Sequence, residues 1–203
     1  PVLHLQREAG ATVGEAYGWH LPASYSSLAD EYEAATRGVG LVDRSHFGRL
    51  EIRGADGADL LNRLSTNELA NLTPGDPGIH TVLTSNKGRI LDLLLVLSLE
   101  DRLLLLTGPD TRQKVADWIE FYTFVDDVAV TDVTEETAML ALTGPEAASL
   151  LAQFTGENIS AMPHGGALSA RIGDHEALVI RTDFVGLAGY DLAITAANGE
   201  GLW

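Results

Sequence analysis

The chain has 203 residues, 29 acidic against 13 basic side chains and six histidines, for a formal net charge of −16. So acidic a chain repels phosphates, which argues against non-specific nucleic-acid binding, and any anionic ligand needs a local basic island. There is no cysteine, so disulfides, thiol nucleophiles and Cys-ligated metals are excluded within these residues, while 45% hydrophobic content is enough for a real core.

In chain order, the opening "PVLHLQREAGATVGEAYGWHLP" is neither a signal nor a transit peptide, and with the lack of cysteine it is compatible with a cytoplasmic protein. Residues 27–37, "SLADEYEAATR", read as a helix with Leu28, Tyr32 and Ala35 on one apolar face and Gly38 ending it. "RLEIRG" (49–54) alternates as a strand does, and "ADGADLLNRLS" (55–65) reads as a short helix on Leu60, Leu61 and Leu64. "GIHTVLTS" (78–85) and "RILDLLLVLSL" (89–99) are predicted strands around an Asn86-Lys87-Gly88 turn; "LLLLTG" (103–108) is the next. "PDTRQKVADWIEFY" (109–122) is a predicted helix opened by proline. The longest apolar run, 90–99, contains Asp92 and is too short to span a bilayer, so no membrane partner is expected.

The second half repeats the first. Gly54, Asp56, Ala58, Leu60 and Leu61 match Gly144, Glu146, Ala148, Leu150 and Leu151 at a constant offset of 90 residues. A strand precedes each copy, and three follow the second: "GALSARIG", "EALVIRTD" and "YDLAIT". The expected fold class is therefore α+β, with two related β-α-β-β-β-α halves about a pseudo-twofold axis and a ligand crevice between them. The expected divisions are an N-terminal arm and helix over 1–45, a first repeat over 46–133 and a second, incomplete repeat over 134–203. Leu202 and Trp203 resemble the first buried residues of an unfinished helix, so a natural chain extending well beyond Trp203 is expected.

Asp92 is the first chemical candidate. It sits three residues behind Arg89 in a run that is apolar on both alternation faces, which suggests a strand covered on both sides. Burying a carboxylate without hydrogen bonds costs several kcal/mol, roughly 2–7 for a polar group and more for a charge. It therefore needs partners, and a ligand N–H is one; the plain alternative is a strand-edge acid or a turn cap. Lys87 and Arg89 are by default ordinary hairpin-tip residues, and functionally an anchor for an anionic tail. The histidines (4, 20, 46, 80, 164, 175) show no spacing such as HExxH, so no protein-bound metal is expected. His80 would face the strand of Asp92 in a tight hairpin, although a core histidine is the plainer reading. "GADGAD" (54–59) lacks the lysine of a phosphate loop, and no Ser-His-Asp set can be read from the sequence.

Four stretches, "GWHLPASY" (18–25), "GVGLVDRSHFGRLEIRGADGADLLNRLSTNEL" (38–69), "NKGRILDLLLV" (86–96) and "RTDFVGLAGYDL" (181–192), resemble the folate-binding superfamily of the glycine-cleavage aminomethyltransferase, or T-protein. The resemblance runs through nearly the whole chain and lies in the order of the motifs. It implies a tetrahydrofolate cofactor or a one-carbon derivative, with Asp92 as the acid that meets the reactive folate nitrogens and the catalytic candidate. It further implies cofactor contacts from His80, at the place of a family tyrosine, from Arg181 and Phe184, and from Lys87 and Arg89 toward the glutamate tail. The departures are Leu93 for a second acid, Asp183 for glycine, Phe184 for tyrosine and Leu187 for the glutamate that holds the pterin ring.

The Lys-Gly-Arg turn and the lost glutamate point to the YgfZ-type branch, whose members support iron–sulfur enzymes in a folate-dependent way. The first alternative is a folate-dependent aminomethyltransferase or methyltransferase of the T-protein type, partnered by a lipoyl carrier protein. The second is a non-catalytic scaffold that has lost folate.

Overall fold

A computed structural model describes residues 2–203. In chain order the elements are α1 (Leu3–Glu8), β1 (Thr12–Ala16), β2 (Trp19–Ser24), α2 (Leu28–Arg37), β3 (Gly40–Asp43), β4 (Gly48–Arg53), α3 (Gly57–Leu64), β5 (Ile79–Thr84), β6 (Ile90–Leu99) and β7 (Arg102–Thr107). They continue with α4 (Arg112–Tyr122), β8 (Ala129–Asp132), β9 (Thr137–Thr143), α5 (Ala147–Thr155), β10 (Ala167–Ile172), β11 (His175–Arg181), β12 (Gly189–Thr195) and α6 (Gly199–Leu202). The class is α+β. Among the described residues no helix is long and apolar enough to cross a membrane.

The chain divides into two compact units, one made of Phe47–Glu135 and one of the residues before Phe47 together with Glu136–Trp203. In the first unit the strand order is β5-β6-β7-β4-β8; in the second it is β10-β11-β12-β9-β3. Strands at matching places in the two sheets come from matching places in the repeated stretch. Both edge strands, β8 and β3, pair antiparallel to their neighbours. The residues read as an N-terminal arm thus supply β3 to the second sheet.

Each sheet buries one face under helices. In Phe47–Glu135, Leu60 and Leu61 of α3 and Val115 and Ile119 of α4 pack with Leu50, Ile52, Leu94, Val96 and Leu105. In the other unit Ala147 and Leu151 of α5 pack with Leu142, Val179, Tyr190 and Leu192. Each fully buried leucine, isoleucine or valine contributes about 1.5–3 kcal/mol relative to exposure.

Two helices differ from expectation. Helix α2 is capped as its sequence suggests, Ser27 Oγ accepting from Asp30 N at 3.2 Å, but its apolar face stays open, with Leu28 84% and Tyr32 69% exposed. Capping and 3.6-residue spacing decide that a helix forms, not that its apolar stripe meets a partner. Helix α4 begins at Arg112 with Thr111 as its N-cap, so Pro109 lies in the preceding turn instead of the first helical turn.

The repeated glycines explain why the motif recurs. Gly54 and Gly144 end their strands with φ of +110° and +124°, a region essentially closed to other residues. A Cβ at Gly54 would collide with the carbonyl of Asp127, and one at Gly144 with the carbonyl of Gly38. Gly54→Ala and Gly144→Ala should each destabilise by about 2–4 kcal/mol in urea unfolding. Gly88→Ala, at φ +69° with open space around it, should cost only about 1–2 kcal/mol.

Candidate functional site

Asp92 sits where the ladder between β6 and β7 stops. The two strands pair from Leu95 opposite Leu106 to Leu99 opposite Arg102. Continuing that register would place Leu93 opposite Gly108, but there the Asp92 carboxylate intervenes. Its Oδ1 accepts from Leu93 N at 2.8 Å; its Oδ2 accepts from Gly108 N at 2.8 Å and Thr111 Oγ1 at 2.6 Å. One side chain therefore satisfies the amides at the ladder's end and fixes the turn into α4.

The strand around it is not covered on both faces: Ile90 is 70% and Leu93 59% exposed. Exposure is confined to the first half of the strand, since Leu94, Leu95, Val96 and Leu97 are buried. Strand β6 has ten residues, and β7 reaches only its second half, so its first half pairs with β5 alone. Asp92 is consequently half-buried rather than enclosed.

Lys87 and Arg89 are exposed at the tip of the β5–β6 turn. That turn is closed by Gly88 N to Ser85 O at 2.9 Å and by Ser85 N to Arg89 O at 2.8 Å. His80 is exposed and lies opposite Leu95, whereas Asp92 lies opposite Leu83. Three residues separate His80 from Leu83, so His80 and Asp92 project from opposite faces of the sheet. His80 is neither a core residue nor a neighbour of Asp92.

Arg181 and Phe184 belong to the other unit, at the turn from β11 to β12. Thr182 N and Asp183 N both donate to Gly189 O, at 2.9 and 3.2 Å. Asp183 has φ +47°, unusual for a residue with a side chain. Its Oδ1 accepts from Gly189 N at 2.9 Å, its Oδ2 accepts from Arg181 Nε at 3.1 Å, and His164 Nδ1 lies 3.4 Å from Oδ2. Burial pushes the Asp183 carboxyl up, but the Gly189 amide, Arg181 and His164 outweigh it and hold the group below its ordinary value.

Sequence reasoning missed what lies beside Phe184. Arg44 Nη1 donates to both carboxylate oxygens of Asp191 at 2.9 Å, and Asp191 is fully buried. The Arg44 guanidinium lies 4.2 Å from the centre of the Phe184 ring. Burial pulls the Arg44 pKa down, and the charge of Asp191 opposes the shift. An acid in the apolar stretch "GYDLAIT" is the same signal that singled out Asp92. Among the described residues no group of three or more histidine, aspartate and glutamate side chains could hold a metal ion.

A family model described as the GCVT N-terminal domain matches residues 2–203. Aminomethyltransferases of Bacillus pumilus and Rubrobacter xylanophilus are each 32% identical over 100% of this chain, which covers 56% and 54% of them. The chain spans about half the length of the curated relatives it matches. Among solved structures, the glycine cleavage system aminomethyltransferase T from Bartonella henselae superposes with a TM-score of 0.88 at 24% identity, over 100% of this chain and 55% of that one. Heterotetrameric sarcosine oxidase from Corynebacterium sp. U-96 gives 0.62 at 19% identity, over 85% of each chain. Both structural likenesses are likenesses of fold.

Two measurements check the geometry. Asp92→Asn places an amide among groups that donate to the carboxylate, and should lower unfolding stability by about 1.5–3 kcal/mol; Thr111→Val, which removes one donor, should cost about 0.5–1.5 kcal/mol. Asp183 has a lowered native pKa, so its contribution to stability is present above the ordinary carboxylate value of 3.8 and is lost as pH falls through the lower native one. Asp183→Asn should therefore flatten the acid limb of the stability–pH curve.

Proposed function

The chain belongs to the GCVT N-terminal domain family, and on that premise we propose that it binds tetrahydrofolate and takes part in aminomethyl or related one-carbon transfer. Matching relatives named aminomethyltransferase favour the T-protein type over the YgfZ-type reading that the Lys-Gly-Arg turn suggested. The observation that carries the proposal is Asp92, a half-buried carboxylate locked in one orientation at the position where the family motif has its folate-contacting acid.

The residues fit such a ligand. Asp92 Oδ2 has two donors but Oδ1 has only Leu93 N, which leaves acceptor capacity on Oδ1 for a ligand N–H. Lys87 and Arg89 are exposed cations on an acidic chain, suited to a polyanionic glutamate tail. In the other unit, taken by itself, Phe184 presents an aromatic ring, and two residues earlier in the chain Thr182 Oγ1 is buried without a hydrogen-bond partner. Leu187 supplies no acceptor for the pterin's amino-pyrimidone edge. Asp183 does not replace the lost glutamate, because Gly189 N, Arg181 and His164 already engage its two oxygens.

When bound, tetrahydrofolate supplies the nitrogen that accepts the one-carbon unit. Asp92 Oδ1 would accept that nitrogen's hydrogen, hold its lone pair toward the incoming carbon and take up the proton released as the carbon's bonds to the carrier sulfur and to its amine break, the carrier leaving as thiol and the amine as ammonia. Three donors already fix the carboxylate, so little reorientation precedes the step. Arg181 is a support for the turn that carries Phe184, since its Nη1 donates to Met162 O at 2.6 Å. A lipoyl carrier protein is the partner this chemistry calls for.

The test supplies the natural full-length protein with tetrahydrofolate and the aminomethylated lipoyl carrier protein, and follows methylenetetrahydrofolate and ammonia. Turnover of about 1 s⁻¹ or faster is expected. Asp92→Asn should reduce it by about 10²-fold or more, the range of a general base. Leu93 and Leu187 favour a second reading, folate binding without transfer. Saturable binding with no ammonia released would support that reading and overturn the transferase.

A further inference from the structure

We propose that Asp183 is a positioning residue that presents the Phe184 ring and the Thr182 hydroxyl as a paired wall and hook for the ligand. The identity of that ligand rests on the folate reading above; the arrangement of the turn does not.

Asp183 adopts a left-handed backbone, with φ +47°, at a position where the resembling motif has glycine. A side chain there costs about 1–2 kcal/mol that glycine avoids. What the side chain supplies in return is a carboxylate at the neck of the turn. It accepts from Gly189 N at 2.9 Å and from Arg181 Nε at 3.1 Å, with His164 Nδ1 at 3.4 Å. Arg181 in turn donates to Met162 O at 2.6 Å, so the carboxylate ties the 183–189 turn to the segment before β10.

The two flanking residues receive the effect. Phe184 follows Asp183, and a Cβ on Gly189 would lie 3.3 Å from Phe184 Cδ1, so the ring rests on the bare backbone that Asp183 holds. One face of the ring meets the Arg44 guanidinium at 4.2 Å, and Asp191 fixes that guanidinium with two contacts of 2.9 Å. The ring is therefore set between the Gly189 backbone and the Arg44 guanidinium before any ligand arrives. Thr182 precedes Asp183, is 9% exposed, and its Oγ1 has no hydrogen-bond partner. A buried hydroxyl left unsatisfied costs about 1–3 kcal/mol. A ligand polar atom would remove that cost, and a planar ligand with a polar edge uses ring and hydroxyl together.

The experiment uses the natural full-length protein and three variants, Asp183→Asn, Asp183→Gly and Thr182→Val, with 5-formyltetrahydrofolate as probe, well below the unfolding temperature. Without ligand, Asp183→Asn and Asp183→Gly should speed amide exchange at Gly189 about 10-fold, the loss of one charge-assisted hydrogen bond. Both should also shrink the ring-current shift that Phe184 imposes on Arg44 side-chain protons. Thr182→Val should unfold at an equal or higher temperature, because it deletes an unpaired hydroxyl. With ligand, Asp183→Asn and Thr182→Val should each raise the dissociation constant about 3- to 10-fold.

Unchanged dissociation constants in folded variants would overturn the proposal, as would an unchanged ring-current shift on Arg44. A wild-type protein that ignores the probe would sink the folate reading instead. In that case a collapsed ring-current shift together with a Thr182→Val variant that unfolds no lower than the wild type upholds the positioning role, and the failure of either rejects it.

Discussion

A carboxylate set in or beside a sheet has to be met by donors, and three such carboxylates govern how this molecule is put together. Asp92 stands at the end of a ladder, Asp191 in the middle of one and Asp183 at the neck of a turn. An apolar side chain would pack more simply at each place. Each carboxylate instead collects neighbours: a helix start for Asp92, the arginine that follows edge strand β3 for Asp191, and a second loop for Asp183. Losing the partner of a buried charge costs about 3–5 kcal/mol, which applies in full to Asp191, whereas the half-buried Asp92 and Asp183 hold their surroundings through weaker, charge-assisted hydrogen bonds.

The two sheets share a backbone plan without sharing these polar sites. Strand order is the same, and the positive-φ glycines at 54 and 144 close equivalent corners. The acids fall elsewhere: β6 corresponds to β11 and β12 to β7, so Asp92 and Asp191 occupy non-equivalent strands. Packing constrains the repeated frame, whereas the polar insertions set the two units apart. The cations of the β5–β6 turn add a further asymmetry, since the equivalent turn from β10 to β11 is Gly173-Asp174 and carries no cation.

Much of the frame was legible in the sequence because period-2 alternation, Gly-ended strands and a 90-residue offset are local signals. The hairpin of β1 and β2 was readable too, through the Tyr17-Gly18 turn at φ +56° and +75°, but it goes unnoticed beside the repeat. What no local pattern reveals is where a neighbouring strand stops. An apolar run around Asp92 implied cover on both faces, yet Ile90 and Leu93 are exposed and β7 pairs only with the second half of the strand. Leu28 and Tyr32 share a helix face that stays exposed, because spacing says nothing about whether a partner is present. The pairing of Arg44 with Asp191 spans 147 residues of sequence and could not be read from either end.

The central claim is that the fixed carboxylate of Asp92 serves a folate as well as the fold. Its most direct measurement is a calorimetric titration of the natural full-length protein and its Asp92→Asn variant with 5-formyltetrahydrofolate, in conditions where both are folded. Saturable binding is expected, with a dissociation constant between about 1 μM and 1 mM, the usual range for enzyme substrates. The variant should bind roughly 10-fold or more weakly, as befits loss of a charge-assisted hydrogen bond. No saturable heat from the wild type, or equal affinity in the two proteins, would contradict the claim and leave Asp92 as the ladder's terminator alone.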